Sequence, residues 1–176
     1  AEIVSKNKYS VSWSMKPLNE INKFNLKGLN DPIYYLADAK ILRDDTNSKR
    51  EDYTRIKVVE PFINQLIEDK AKVILLTHLG RPKGKFDLSL SLKPVFKYLE
   101  KMLKGKLFFY EENIDSRAID ASNKLNPGEV LLLENIRFFK EEENDDENFA
   151  RNLSKLGDIY INEAFSCSHR KQASIN

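Results

Sequence analysis

The sequence is short of several things, and each shortage excludes a class of protein. It has one cysteine, Cys167, in 176 residues. That rules out an internal disulfide framework and fits a reducing compartment, the cytoplasm. It has no apolar run near the ~18–20 residues that a membrane span needs. Residues 1–14 lack the continuous apolar core of a secretory signal; Met15 offers a second start, which would make them a tag or extension. It has no excess of one charge: 29 basic residues against 27 acidic leave a net charge of +2. A nucleic-acid binder would show a one-sided basic excess. Only six glycines are present, and none sets up a nucleotide-binding fingerprint. Lys83-Gly84-Lys85 is not a P-loop, because the glycine spacing and the Ser/Thr are missing.

What remains is one ordinary domain, or one half of a larger protein. The apolar fraction of 41% is ample for a core. Residues 1–30 are polar and weakly patterned, and read as an amino-terminal extension and lead-in to a domain spanning 31–176. Within the lead-in, 14–20 opens a short helical turn and Asn25-Leu26-Lys27-Gly28 is a turn. Ile33-Tyr34-Tyr35-Leu36-Ala37 is a β-type run. From Arg55, the spacing of Ile56, Val59, Phe62, Ile63, Leu66 and Ile67 predicts a helix, with Pro61 tolerable in its first turns. Residues 72–77 are almost continuously apolar, as in a strand buried on both faces. A long loop, 80–91, leads to a helix marked by Leu92, Val95, Phe96, Leu99 and Leu103.

Strands follow at 107–110, 130–133 and 158–161, separated by helices over 116–125 and 145–156. The alternation predicts an α/β fold: a Rossmann-like three-layer sandwich, with a mostly parallel sheet and helices on both faces. Right-handed crossovers put the strand carboxyl ends on one edge. Asp38, His78, Arg81, Arg137, His169 and Arg170 all follow strand-like runs and converge there in this reading. A guanidinium gives two parallel hydrogen bonds to phosphate or carboxylate. With Arg55, these residues suit a small ligand carrying two or more negative charges. Asp38, among cations, suits a ligand hydroxyl.

Each residue also has a plainer reading. A single arginine after a strand is usually a solvated loop charge, and a histidine there is more often structural than catalytic. Cys167 reads as a small packed residue, since no base is spaced to activate it. The acids of 141–147 read as a solvated turn and helix start rather than a metal site. Convergence of several cations is what favours an anion site.

Three stretches, His78-Leu79-Gly80-Arg81-Pro82-Lys83-Gly84, Ser91-Leu92-Lys93-Pro94 and Pro127-Gly128-Glu129-Val130-Leu131-Leu132-Leu133-Glu134-Asn135-Ile136-Arg137-Phe138, resemble the phosphoglycerate kinase family. Lys140-Glu141-Glu142-Glu143 and Asn162-Glu163-Ala164-Phe165-Ser166-Cys167-Ser168-His169-Arg170 do too, the last in a form similar to the alphaproteobacterial branch. The likeness is continuous from about residue 52 to residue 176. It implies the amino-terminal half of a glycolytic kinase, the domain that binds 3-phosphoglycerate or 1,3-bisphosphoglycerate.

In that family a second domain brings Mg-ATP or Mg-ADP across a cleft. The resemblance therefore implies that this chain alone binds no nucleotide and is inactive, the nucleotide-binding carboxyl-terminal domain being absent from it. It also implies a cytoplasmic monomer with no nucleic-acid or membrane partner. Arg55 matches the arginine that steadies the transferring phosphoryl group. His78, Leu79, Gly80, Arg81, Arg137, His169 and Arg170 match the substrate side, and Asp38 matches the aspartate that holds the substrate hydroxyl. The family's first strand usually reads Arg-(Val/Ala)-Asp-(Phe/Leu)-Asn-Val-Pro. Here Leu36 replaces the arginine and Lys40 the asparagine, so Lys40 restores a charge on the same strand face. A second reading is a phosphoglycerate kinase-like binding module without catalysis, marked by that altered segment. A third, an interaction domain using 141–147, has nothing specific behind it.

Overall fold

The computed structural model describes residues 2–5, 32–36, 53–162 and 171–175. Six strands form one sheet: β1 (Glu2–Ser5), β2 (Pro32–Leu36), β3 (Lys72–Leu76), β4 (Leu107–Tyr110), β5 (Val130–Leu133) and β6 (Ile159–Asn162). Their order across the sheet is β1-β6-β2-β3-β5-β4. The pairs β2·β3, β2·β6, β3·β5 and β4·β5 are parallel. The α/β reading holds, with one addition. Glu2–Ser5 lies antiparallel on β6, so the polar lead-in contributes an edge strand that its composition does not announce. The helical turn expected at 14–20 and the turn expected at Asn25-Leu26-Lys27-Gly28 lie outside the described residues.

Among the described residues, five helices accompany the strands: α1 (Thr54–Glu68), α2 (Lys93–Met102), α3 (Ser116–Asn123), α4 (Lys140–Glu143) and α5 (Glu147–Ser154). The pleat sorts the sheet's side chains between two cores. Val73 and Leu75 of β3, with Val130 and Leu132 of β5, pack with Ile63 and Leu66 of α1 and Val95 and Leu99 of α2. The intervening Ile74, Leu76, Leu131 and Leu133 pack on the other face with Ala118 of α3 and Phe149 and Leu153 of α5. A strand buried on both faces has no polar positions to spare. That is why 73–76 and 130–133 read as unbroken apolar runs.

Two helical details differ from the sequence reading. Pro61 lies in the middle of α1 rather than in its first turns. It is exposed, so the helical hydrogen bond it cannot make is lost on the solvent side, where water can replace it. The helix read over 145–156 is α5, Glu147–Ser154, and a separate short helix, α4, precedes it at Lys140–Glu143. Asp145 takes a left-handed φ of 57° and breaks the chain's helical path. Asp146 then caps α5, its carboxylate accepting the Phe149 N–H at 2.8 Å.

Candidate functional site

The strands β3 and β5 are neighbours and run parallel, so the segments leaving their carboxyl ends emerge side by side. From β3 come Thr77, His78, Leu79, Gly80 and Arg81; from β5 come Glu134 and Asn135, then a 3-10 turn, Ile136–Phe138, carrying Arg137. A dense set of hydrogen bonds joins the two. The Ile136 N–H donates to the Thr77 carbonyl at 3.2 Å. The Asn135 side-chain amide donates to the Leu79 carbonyl at 2.8 Å and the Leu90 carbonyl at 3.0 Å. One amide therefore fastens both ends of the 79–90 loop. Asn135 also caps the 3-10 turn by accepting the Arg137 N–H at 3.1 Å.

Glu134 ties in the start of α2. Its carboxylate accepts the Ser91 hydroxyl at 2.6 Å, the Leu92 N–H at 2.7 Å and the Asn135 N–H at 2.7 Å. A buried carboxylate is tolerable only when its lone pairs are satisfied. Here three donors do so, one of them at the positive end of a helix.

Of the residues picked from the sequence, Arg137 has the most specific setting. It is 5% exposed, and its Nη1 donates to the Gly80 carbonyl at 3.0 Å. Its own carbonyl accepts the Gly84 N–H at 3.2 Å. Gly80 has φ +66° and Gly84 φ +67°, and a Cβ on Gly84 would lie 2.8 Å from the Lys140 Cα. The loop can therefore press onto the Arg137 turn only with glycine there. Leu79 is buried, His78 is half-buried and Arg81 is exposed. The structure thus joins Gly80 to Arg137 and Leu79 to the neighbouring Asn135, with His78 and Arg81 on either side in the chain. Arg55 lies in the first turn of α1, and only its backbone is described. Asp38, Lys40, Cys167, His169 and Arg170 lie outside the described residues.

One sequence reading is corrected. The acids of 141–147 are not uniformly solvated: Glu141 and Glu143 are exposed, but Glu142 is 2% exposed. The turn of α4 points it inward, where Ser174 meets it. Burial raises its pKa, against the lowering effects of the Ser174 bonds and the Arg137 charge, while Asp145 raises it further.

The structural work of Glu134, Asn135 and Ser91 was missed as well. The available signal was a charged and an amide residue directly after a wholly apolar strand. Elsewhere, an open groove of about 390 Å³ runs along α2 beside Tyr53, lined by residues including Lys93, Lys97, Lys101 and Tyr98, which stacks on Tyr53. Among the described residues, His78, Leu79, Gly80, Arg81 and Arg137 do not line it. Among the described residues, no group of three or more His, Cys, Asp or Glu could hold a metal ion, and no helix is long and apolar enough to cross a membrane.

These features define a doubly wound α/β domain with a cation-bearing edge at the strand carboxyl ends, the position where such folds take small ligands. Comparison with known proteins then narrows the class. The family model described as phosphoglycerate kinase matches residues 35–176, and the chain belongs to that family.

A phosphoglycerate kinase of Orientia tsutsugamushi (strain Ikeda) is 50% identical over 140 residues, covering 77% of this chain and 34% of that protein. One from Wolbachia pipientis subsp. Culex pipiens is 48% identical over 130 residues, covering 74% of this chain and 33% of that protein. Both agree with the alphaproteobacterial form of the final motif. The solved structure of phosphoglycerate kinase from Coxiella burnetii superposes with a TM-score of 0.69 at 33% identity, over 88% of this chain and 37% of that one. The chain spans about a third of the length of the curated relatives it matches.

Proposed function

We propose that this chain forms the phosphoglycerate-binding half of a glycolytic phosphoglycerate kinase. The full enzyme transfers a phosphoryl group between 1,3-bisphosphoglycerate and ADP, or in reverse between ATP and 3-phosphoglycerate. The observation that carries the reading is the union of β3 and β5 at one edge. There Arg137 is seated on the Gly80 carbonyl beside Arg81, within the stretch that matches the family.

Phosphoryl transfer asks little covalent chemistry of the protein. It asks for positioning and for neutralisation of charge on the transferred group. In this reading Arg81, Arg137 and Arg170, with His78 and His169, hold the phosphate and carboxylate of the triose. The Leu79 and Gly80 backbone lines the same edge, Asp38 takes the hydroxyl, and Lys40 stands in for the charge lost at Leu36. Arg55 steadies the phosphoryl group in transit. Each such cation is worth ~2–4 kcal/mol of transition-state stabilisation.

Mg-ATP and Mg-ADP enter as substrates and are held by a nucleotide-binding domain rather than by these residues. The enzyme works as a cytoplasmic monomer on small anions, with no nucleic-acid or membrane partner. The test is to join this chain to the remainder of the Orientia tsutsugamushi relative and supply 1,3-bisphosphoglycerate and Mg-ADP. ATP should form. A folded hybrid that makes none overturns the proposal.

A further inference from the structure

Four consecutive residues, 134–137, hold the loop that carries Gly80 and Arg81. The Asn135 amide donates to the Leu79 and Leu90 carbonyls, the Ile136 N–H to Thr77 and the Arg137 Nη1 to Gly80. Glu134 accepts from the next two residues of the loop's return, the Ser91 hydroxyl at 2.6 Å and the Leu92 N–H at 2.7 Å. Residues 90, 91 and 92 are therefore pinned one after another by two adjacent side chains.

The carboxylate also does something the helix does not need. Anchoring the start of α2 calls for the bonds to Ser91 and Leu92. The oxygen that accepts the Leu92 N–H, Oε1, accepts the Asn135 N–H as well, each at 2.7 Å. That shared oxygen sets where Asn135 stands relative to α2. Asn135 is 0% exposed and accepts the Arg137 N–H at 3.1 Å, so the Arg137 turn inherits the position. The Gly84 N–H then donates to the Arg137 carbonyl at 3.2 Å.

We propose that Glu134 is a positioning residue for the anion-binding edge. Through Asn135 it holds the loop bearing Gly80 and Arg81 and the turn bearing Arg137 in one arrangement. The inference rests on the reading of that edge as the phosphoglycerate site. Glu134 is 5% exposed and bonded to its own chain, so its effect on binding is indirect.

The test uses the 176-residue chain with Glu134→Ala, Glu134→Gln and Glu134→Asp. The glutamine keeps an oxygen for the two N–H donors and turns its amide to the Ser91 hydroxyl, which accepts as well as donates. The aspartate keeps the charge but draws the oxygens back by one methylene. Two quantities are read on folded protein. One is calorimetric affinity for 3-phosphoglycerate. The other is hydrogen exchange of the Asn135 side-chain amide and the Gly84 N–H, followed by NMR. In Glu134→Ala affinity should fall roughly tenfold, as for loss of one hydrogen bond to a charged group, and both exchange rates should rise. Glu134→Asp should resemble alanine. Glu134→Gln should stay within about threefold of the parent.

A carboxylate that merely anchored α2 would leave both readouts unmoved in folded protein. A folded Glu134→Ala that keeps the parent's exchange or its affinity therefore overturns the inference, as does a glutamine variant no better than alanine. If Glu134→Ala does not fold, unchanged exchange and affinity in Glu134→Asp overturn it. If the unsubstituted chain binds no 3-phosphoglycerate, the reading of the edge fails, while exchange at Asn135 and Gly84 still decides whether Glu134 positions the loop.

Discussion

The side-chain amide of Asn135 donates to the Leu79 carbonyl at 2.8 Å, across 56 residues of sequence. The same amide reaches the Leu90 carbonyl at 3.0 Å, so one side chain closes the loop that carries Gly80 and Arg81. The loop's shape is therefore set from the neighbouring strand.

Asn135→Ala should destabilise the chain by about 2–4 kcal/mol, because two loop carbonyls lose their donor in a site where water reaches poorly. Urea unfolding measures this. The variant should also bind 3-phosphoglycerate more weakly, since the loop no longer holds its closed form.

Glycine substitutions in this loop should separate by what lies beyond them. A Cβ on Gly80 would meet the Leu90 Cδ2 at 2.8 Å, the movable end of a side chain; on Gly84 it would meet the Lys140 Cα at 2.8 Å and clash with the Lys140 Cγ. Both positions also carry the left-handed penalty of about 1–2 kcal/mol. Thermal unfolding should show Gly84→Ala as the more damaging of the two.

The two arginines should divide between stability and binding. Arg81 is exposed, so Arg81→Ala should leave stability within about 0.5 kcal/mol of the parent. Arg137 is buried and bonded to Gly80, so Arg137→Ala should cost about 2–4 kcal/mol. Both should impair 3-phosphoglycerate binding. Paired urea and calorimetric titrations distinguish them.

Glu142 makes a prediction about pH. Its folded pKa lies above the ordinary glutamate value of 4.5, with burial the largest cause. Between the unfolded and folded values, the folded chain holds more protons than the unfolded one. The resulting stability is fully present below the unfolded value and is lost as pH rises through the folded one. Glu142→Gln has no such proton to lose. Its stability relative to the parent should therefore improve as pH rises from about 4 to about 7, read from urea midpoints. A difference independent of pH would contradict the shift.

Much of the fold is written locally, and the places where it is not have physical causes. Strands β3 and β5 are legible because burial on both faces leaves 73–76 and 130–133 wholly apolar. Strand β1 is not, because its four residues become a strand only by pairing with β6, where Ser5 lies opposite Ile159, 154 residues further along the sequence. The break between α4 and α5 hides inside an acidic run, where Asp145 turns the chain and Asp146 caps it.

At the site, His78, Arg81 and Arg137 are legible because each follows a strand. Their supports are not. Glu134 meets Ser91 and Leu92 across 43 and 42 residues, and Glu142 meets Ser174 across 32. Such pairings exist only once the sheet has formed. Glu142 was further concealed by exposed acids on either side, which make the whole stretch look solvated.

The most direct measurement is a calorimetric titration of 3-phosphoglycerate into this chain, beside the same titration of Arg81→Ala. The account predicts saturable binding by the parent and clearly weaker binding by the variant at equal stability. A folded parent that takes up no 3-phosphoglycerate at millimolar ligand, or a variant that binds as well as the parent, would contradict it.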